Sequence, residues 1–162
     1  MTEGLLGRIE GRRARVVIVG QGYVGLPVAM RASEVGFAVI GYEIDERRVT
    51  ALRSGQSFVE DVPDARLSHA LEHGYSVTDA VGELAGFDVA IISVPTPLRD
   101  GAPDLSFVES AVGALAQVIQ PGALVVLEST TYPGTTEELV RPPLEESGLR
   151  AGVEFLLGYS PE

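Results

Sequence analysis

The chain has 162 residues, with 12 basic and 23 acidic side chains and a formal charge of −11. Its length suits one domain, and its 45% apolar content excludes an intrinsically disordered protein. Because these residues include no cysteine, they can form no disulfide, thiolate metal site or cysteine nucleophile. The excess of acidic residues argues against nucleic-acid binding, which requires clustered lysine and arginine.

The first 14 residues are predicted to be a disordered lead-in. They lack the apolar segment of a secretory signal, and no later stretch approaches the roughly 18 apolar residues of a membrane span. We therefore expect a cytoplasmic protein that contacts neither membrane nor nucleic acid.

From residue 15 onward, short apolar runs alternate with helical patterns. The runs predict strands over 15–20, 37–42, 75–78, 88–94, 123–128 and 153–158. Helices are predicted over 23–35, 45–54, 65–73, 79–85, 104–119 and 135–147, with a loop over 56–64. Continuous apolar strands between helices indicate a parallel sheet covered on both faces. We predict one α/β domain over 15–162, a doubly wound sheet of Rossmann type with about six strands in the order 3-2-1-4-5-6.

The first strand is followed by a glycine pattern typical of dinucleotide-binding proteins. Gly20, Gly22 and Gly25 match G-x-G-x-x-G between a strand and a helix, which is the context the motif requires. The first glycine permits a tight turn, the second lets a diphosphate approach, and the third allows close packing. The N–H groups near Gly22, Tyr23 and Val24 would face the diphosphate, aided by the helix dipole. The alternative is a glycine-rich turn that binds nothing.

An acidic side chain follows the second predicted strand. Glu43 can accept hydrogen bonds from both adenosine ribose hydroxyls and repels a 2′-phosphate, which favours NAD over NADP. Arg47 and Arg48 follow closely and leave NADP open, and a solvated strand end is the alternative for Glu43. Asp45 is expected to cap the next helix.

Three further segments lie where later strands end. They read SVPTP at 93–97, ESTTYPGTT at 128–136 and YSPE at 159–162. With GQGYVGLP at 20–27, they resemble the N-terminal NAD-binding domain of the UDP-glucose/GDP-mannose dehydrogenase family. The resemblance runs from about residue 15 to 162. It is closest to the branch that includes UDP-N-acetylglucosamine and UDP-N-acetylmannosamine 6-dehydrogenases.

The resemblance implies NAD as cofactor and a nucleotide sugar as substrate. The family oxidises the C6 alcohol of the sugar to the acid with two NAD⁺, through a cysteine-bound thioester, in polysaccharide biosynthesis. Glu43 stands where the family usually has Asp. Arg48 matches a basic residue near the adenosine ribose, and the strand-end segment that passes the cofactor corresponds to Val94, Pro95 and Thr96.

Two residues match catalytic positions of the family. Thr130 corresponds to a threonine that helps to hold the catalytic water near the nicotinamide, and Glu162 to the general base of thioester hydrolysis. A carboxylate beside a bound water can take its proton as the water attacks an acyl carbon. The alternative for Thr130 is a loop hydroxyl that forms a hydrogen bond within its own turn. The alternative for Glu162 is a frayed terminal residue.

Other parts of the family pattern are absent from these residues. The nucleophilic cysteine, the UDP-binding domain and the central helix that builds the dimer belong to the sequence beyond the SPE motif. We therefore expect a truncated chain that holds NAD but turns over no nucleotide sugar. The alternatives are a β-hydroxyacid-type NAD dehydrogenase and a stand-alone NAD-binding or regulatory module. No metal site is predicted, since His69 and His73, one helical turn apart, have no evident third ligand.

Overall fold

A parallel sheet forms the centre of the computed structural model, which describes residues 4–161. Its six strands are β1 Arg15–Val19, β2 Ala38–Tyr42, β3 Tyr75–Thr78, β4 Val89–Ile92, β7 Leu124–Leu127 and β8 Leu156–Tyr159. They run in the order β3-β2-β1-β4-β7-β8. Counted within this sheet alone, the order is 3-2-1-4-5-6, so the predicted Rossmann topology is confirmed.

Helices cover both faces of the sheet. One face carries α2 Gly25–Glu34, α3 Glu46–Arg53 and α4 Asp64–Glu72, and the other carries α5 Ser106–Ala116 and α6 Arg141–Glu145. The alternation along β1 shows how the strands serve two cores. Val16 and Ile18 pack in the first core, which lies between the sheet and α2, α3 and α4. Val17 and Val19 pack in the second core, between the sheet and α5 and α6. A strand buried on both faces is therefore apolar throughout, which is why the sequence predicted these strands well.

The predicted disordered lead-in is wrong for residues 5–10. These residues form α1, Leu5–Glu10, and Leu5 and Ile9 pack against the first core. Arg8 also pairs with the buried carboxylate of Asp88 at 2.6 Å. The helix has only two apolar residues that reach the core, so tertiary contacts rather than local pattern decide its existence.

The segment between β4 and α5 holds a hairpin that the sequence analysis missed. Two short strands, β5 Leu98–Arg99 and β6 Ala102–Pro103, pair antiparallel around Asp100 and Gly101, both with positive φ. Asp-Gly is a common hairpin turn, but strands of two residues give no readable alternation. The following helix, predicted over 104–119, occupies Ser106–Ala116, with the Asp104 carboxylate accepting from Ser106 N–H at 3.0 Å.

Three other predicted elements differ in detail. The predicted helix over 79–85 is a 3₁₀ turn, Val81–Leu84, and the last strand begins at Leu156 rather than 153. The predicted helix over 135–147 is a π-helical stretch, Thr136–Val140, that continues into α6. Pro142 and Pro143 have no N–H to donate, so regular i to i−4 bonding cannot extend through this segment.

One ion pair between α2 and α4 should give a measurable acid dependence. Arg66 donates to both carboxylate oxygens of Glu34, at 2.6 and 3.2 Å, and this hydrogen bonding lowers the pKa of Glu34. Because the folded pKa is below the unfolded one, the stabilisation is present above about pH 4.5 and is lost as the pH falls through the folded value. Arg66→Gln should cost about 0.5 kcal/mol of unfolding free energy at neutral pH and less at an acidic pH at which Glu34 is protonated in the folded chain, measured by urea unfolding. An equal cost at both pH values would contradict the assignment.

Candidate dinucleotide-binding site

The carboxyl ends of four neighbouring strands border one cleft of about 1520 Å³. It lies where β1 and β4 are adjacent and the strand order reverses, the position at which open α/β sheets bind ligands. All the predicted cofactor-binding residues except Gly25 line it, namely Gly20, Gly22, Tyr23, Val24, Glu43, Arg48, Val94, Pro95, Thr96 and Thr130. The fold thus brings together residues that are far apart in sequence.

A side chain would meet different surroundings at each of the three glycines of the loop. Gly20 has φ +93°, and a Cβ there would lie 2.6 Å from the carbonyl oxygen of Ser93. A Cβ on Gly25 would overlap the carbonyl oxygen of Gly20. A Cβ on Gly22, in contrast, would meet no atom within 4 Å. The fold requires the first and third glycines, whereas the second leaves open space over the loop.

The same loop presents unused hydrogen-bond donors. Within residues 4–161, the backbone N–H groups of Gly22, Tyr23 and Val24 have no acceptor, and α2 begins immediately afterwards at Gly25. Unpaired N–H groups at a helix N-terminus attract anions. Together with the open space at Gly22, they form a cradle that fits a diphosphate.

Glu43 is buried at the end of β2 and reaches two loops at once. One carboxylate oxygen accepts from Gln21 N–H and the other from Asp45 N–H, both at 3.1 Å, and Arg48 lies 3.8 Å away. A carboxylate has about four lone-pair positions, so acceptor capacity remains for hydroxyl groups in the cleft. Asp45 caps α3, as predicted, by accepting from the N–H groups of Arg47 and Arg48.

An aromatic residue that the sequence analysis did not select lies beside Arg48. The guanidinium of Arg48 stands over the ring of Phe58, 5.0 Å from its centroid. The ring is 42% exposed and lines the cleft. Glu60 and Asp61, in the predicted loop over 56–64, are exposed and also line the cleft. Only the path of the 56–64 loop, which no local pattern specifies, brings these side chains here.

The other end of the cleft is built by the loops after β4 and β7. The Ser93 hydroxyl donates to the Glu128 carboxylate, and the Ser129 hydroxyl donates to the Val94 carbonyl at 2.8 Å. The Thr96 hydroxyl donates to the Thr130 carbonyl, also at 2.8 Å. These cross-strand bonds hold the two loops against each other and shape the wall of the cleft.

The two adjacent threonines of the second loop differ in their environment. Thr130 lines the cleft. Thr131 does not line it, but its buried Oγ1 has no hydrogen-bond partner among the described residues. An unpaired buried hydroxyl is rare because it costs about 1–3 kcal/mol, so Thr131 has bonding capacity to offer in this loop. Glu162, the other predicted catalytic residue, lies outside the described residues.

Within residues 4–161, no group of three or more His, Cys, Asp or Glu side chains converges in a way that could hold a metal ion. His69 and His73 stack with their ring centroids 4.0 Å apart. None of the helices in this part of the chain has the length and apolar character needed to span a membrane.

Comparison with known proteins identifies the family of this chain. The family model described as the UDP-glucose/GDP-mannose dehydrogenase family, NAD binding domain, matches residues 14–162. The chain belongs to this family. This confirms the resemblance drawn from the strand-end motifs, and NAD is the cofactor of this family's domain.

Relatives within the dehydrogenase family support the assignment over most of the chain. A UDP-N-acetyl-D-mannosamine dehydrogenase from Pyrococcus horikoshii is 42% identical over 91% of this chain and 36% of its own length. Its structure superposes with a TM-score of 0.87. A UDP-N-acetyl-D-glucosamine 6-dehydrogenase from Pseudomonas aeruginosa is 40% identical over 91% of this chain and 35% of its own length. The chain therefore spans about a third of these dehydrogenases.

A more distant member of the family was solved as a ternary complex. This GDP-mannose dehydrogenase from Pseudomonas aeruginosa is 33% identical, with a TM-score of 0.85 over 91% of this chain and 36% of its own. Relatives that act on GDP-mannose and on UDP-sugars thus share this domain. The domain fold alone does not distinguish between the nucleotide sugars.

Proposed function

We propose that the cleft binds NAD⁺ and that the chain is the cofactor domain of a UDP-sugar 6-dehydrogenase. The reaction would be oxidation of the C6 alcohol of a UDP-N-acetylhexosamine, or of UDP-glucose, to the uronic acid with two NAD⁺. The observation that carries the proposal is the loop at Gly22. Three unpaired N–H groups surround open space there, directly beside the buried carboxylate of Glu43.

The cleft offers different chemistry to each part of the cofactor. Glu43 would accept from the adenosine ribose hydroxyls, and Arg48 over Phe58 would contact the adenosine from the outer side. The loop N–H groups would bind the diphosphate. The segment with Val94, Pro95 and Thr96 would border the nicotinamide end. A carboxylate at the ribose position also opposes a 2′-phosphate, which supports NAD⁺ over NADP⁺.

The catalytic contributions of this chain would come from the loop after β7 and from its last residue. When bound, NAD⁺ supplies the hydride acceptor. Thr130 would help to hold the water that later attacks the acyl carbon, and Glu162 would take a proton from that water. Thr131 adds a second hydroxyl in the same loop, one that has bonding capacity left.

Substrate turnover needs groups that these residues do not contain. The thioester chemistry of the family requires a cysteine, and the sequence has none. We therefore expect the chain alone to bind NAD⁺ without oxidising a nucleotide sugar. We expect the full-length enzyme to be cytoplasmic and to assemble as a homodimer or larger oligomer.

Calorimetric titration of the chain with NAD⁺ and, separately, with NADP⁺ tests the proposal. We expect NAD⁺ to bind at least about tenfold more tightly, which corresponds to about 1.4 kcal/mol of discrimination by Glu43. Adding UDP-N-acetylglucosamine with NAD⁺ should produce no NADH absorbance. Equal affinity for the two cofactors, or no binding of either, would contradict the assignment of the cleft.

A further inference from the structure

Gln21, the second residue of the glycine loop, has an unusual environment for a loop side chain. Its exposed fraction is 0%, and its amide is fully paired. Nε2 donates to the carbonyl oxygens of Ile18 and Gly20, both at 3.0 Å, while Oε1 accepts from the Tyr75 hydroxyl at 2.7 Å. Two carbonyl acceptors on one side and a hydroxyl donor on the other determine which way the amide faces.

The hydroxyl that bonds Gln21 belongs to β3, which lies two strands away from β1 in the sheet. Tyr75 begins β3, and its ring reaches the loop by crossing β2 at Gly41. A Cβ at Gly41 would overlap Gln21 Oε1 and lie 2.8 Å from the Tyr75 oxygen. Glycine inside a strand usually marks such a close approach. Gly41 therefore makes the contact between Gln21 and Tyr75 possible.

The tyrosine remains a hydrogen-bond donor over the whole neutral range. Burial, and then the negative charge of Glu43, raise the pKa of the Tyr75 hydroxyl above its usual value. The backbone N–H of Gln21 is bound as well, by the Glu43 carboxylate at 3.1 Å. Four hydrogen bonds thus fix one residue of the loop, at both its backbone and its side chain.

The fixed residue directly precedes the donors that face the cleft. Once Gln21 is held, the directions of the next N–H groups, those of Gly22, Tyr23 and Val24, depend on few remaining backbone angles. A binding loop that already has its bound shape loses less conformational entropy on binding, so more of the interaction appears as affinity. The buried contact between Gln21 and Tyr75 therefore bears on how tightly the loop can bind a diphosphate.

We infer that Gln21 and Tyr75 are positioning residues for the cofactor diphosphate, because their buried hydrogen bond fixes the shape of the glycine loop before the cofactor binds. This inference rests on the proposed binding of NAD⁺ in the cleft. Neither side chain needs to touch the cofactor. Tyr75 does not line the cleft, and it acts through Gln21.

Tyr75→Phe removes the donor and keeps the ring. It leaves Gln21 Oε1 buried without its partner, so we expect NAD⁺ affinity to fall about 5- to 15-fold, measured by calorimetry. Adenosine, which has no diphosphate, should bind within about twofold of wild type, measured by NMR titration because its binding is weak. In the free protein, the amide signals of residues 22–24 should shift.

Thr78→Val is the matched control on the same strand. It removes a buried hydroxyl that accepts from Ala80 N–H at 3.0 Å and does not line the cleft. We expect it to destabilise the chain to a similar extent as Tyr75→Phe, with unchanged affinity for both ligands and unchanged signals from residues 22–24. The comparison separates loss of stability from loss of loop geometry.

The outcomes distinguish failure of the inference from failure of the proposed function. If wild type binds adenosine but no NAD⁺, or binds neither, the proposed function is wrong. If wild type binds NAD⁺ and Tyr75→Phe binds it equally well, the positioning role is wrong. An equal fall for adenosine and NAD⁺ would show a general structural role and would also overturn the inference.

Discussion

Replacing Gly22 with alanine should weaken NAD⁺ binding about 10- to 150-fold without changing the unfolding temperature of the chain. The new methyl group meets no protein atom within 4 Å, so the fold has room for it. It would occupy the space beside the unpaired N–H groups and keep the diphosphate from approaching them. Losing one charge-assisted hydrogen bond costs about 1.5–3 kcal/mol, which gives the stated range. Calorimetry and thermal unfolding measure the two effects.

Two other glycines provide controls for Gly22→Ala. Gly25→Ala should lose both NAD⁺ binding and stability, because its Cβ would overlap the Gly20 carbonyl oxygen. Gly113→Ala, in α5 and away from the cleft, also adds a methyl group to open space and should leave NAD⁺ affinity unchanged. If Gly22→Ala binds NAD⁺ as wild type does, the diphosphate does not lie over this loop.

Glu43→Ala should weaken the binding of NAD⁺ much more than the binding of NADP⁺. Two hydrogen bonds to the adenosine ribose would be lost, each worth about 1.5 kcal/mol or more, so NAD⁺ affinity should fall by about 100-fold or more. NADP⁺ should lose less, because the opposing charge disappears while Arg48 remains in the cleft. The buried N–H groups of Gln21 and Asp45 would also lose their acceptor, at a cost of about 1–3 kcal/mol in unfolding free energy.

A matched substitution and an altered ligand separate ribose recognition from these other effects. Glu46→Ala changes the net charge equally, but Glu46 is exposed and does not line the cleft, so both affinities should stay the same. Wild type should bind 2′-deoxy-NAD⁺ about tenfold less tightly than NAD⁺, whereas Glu43→Ala should bind the two equally. A continued preference of Glu43→Ala for the 2′-hydroxyl would show that another residue recognises the ribose.

The sequence was most informative where function depends on backbone shape. Gly20 and Gly25 are required by a positive φ and a close approach, which only glycine satisfies, so their spacing could be recognised without a structure. Asp45 was readable for the same reason, since a helix cap depends on nearby residues. The strand order followed from the alternation of apolar strands and helices. The hairpin around Asp100 and the first helix were missed because each is too short for a periodic pattern.

By itself, then, the sequence determined the family, the Rossmann sheet, the glycine loop and the acidic residue after the second strand. Only the tertiary structure decided what surrounds them. It showed that Glu43 holds the glycine loop as well as facing the cleft, and that Tyr75 supports Gln21 from 54 positions away. Local patterns encode turns, caps and strand faces. A contact across three strands depends on sheet order, register and the absence of a side chain at Gly41, and these exist only once the chain has folded.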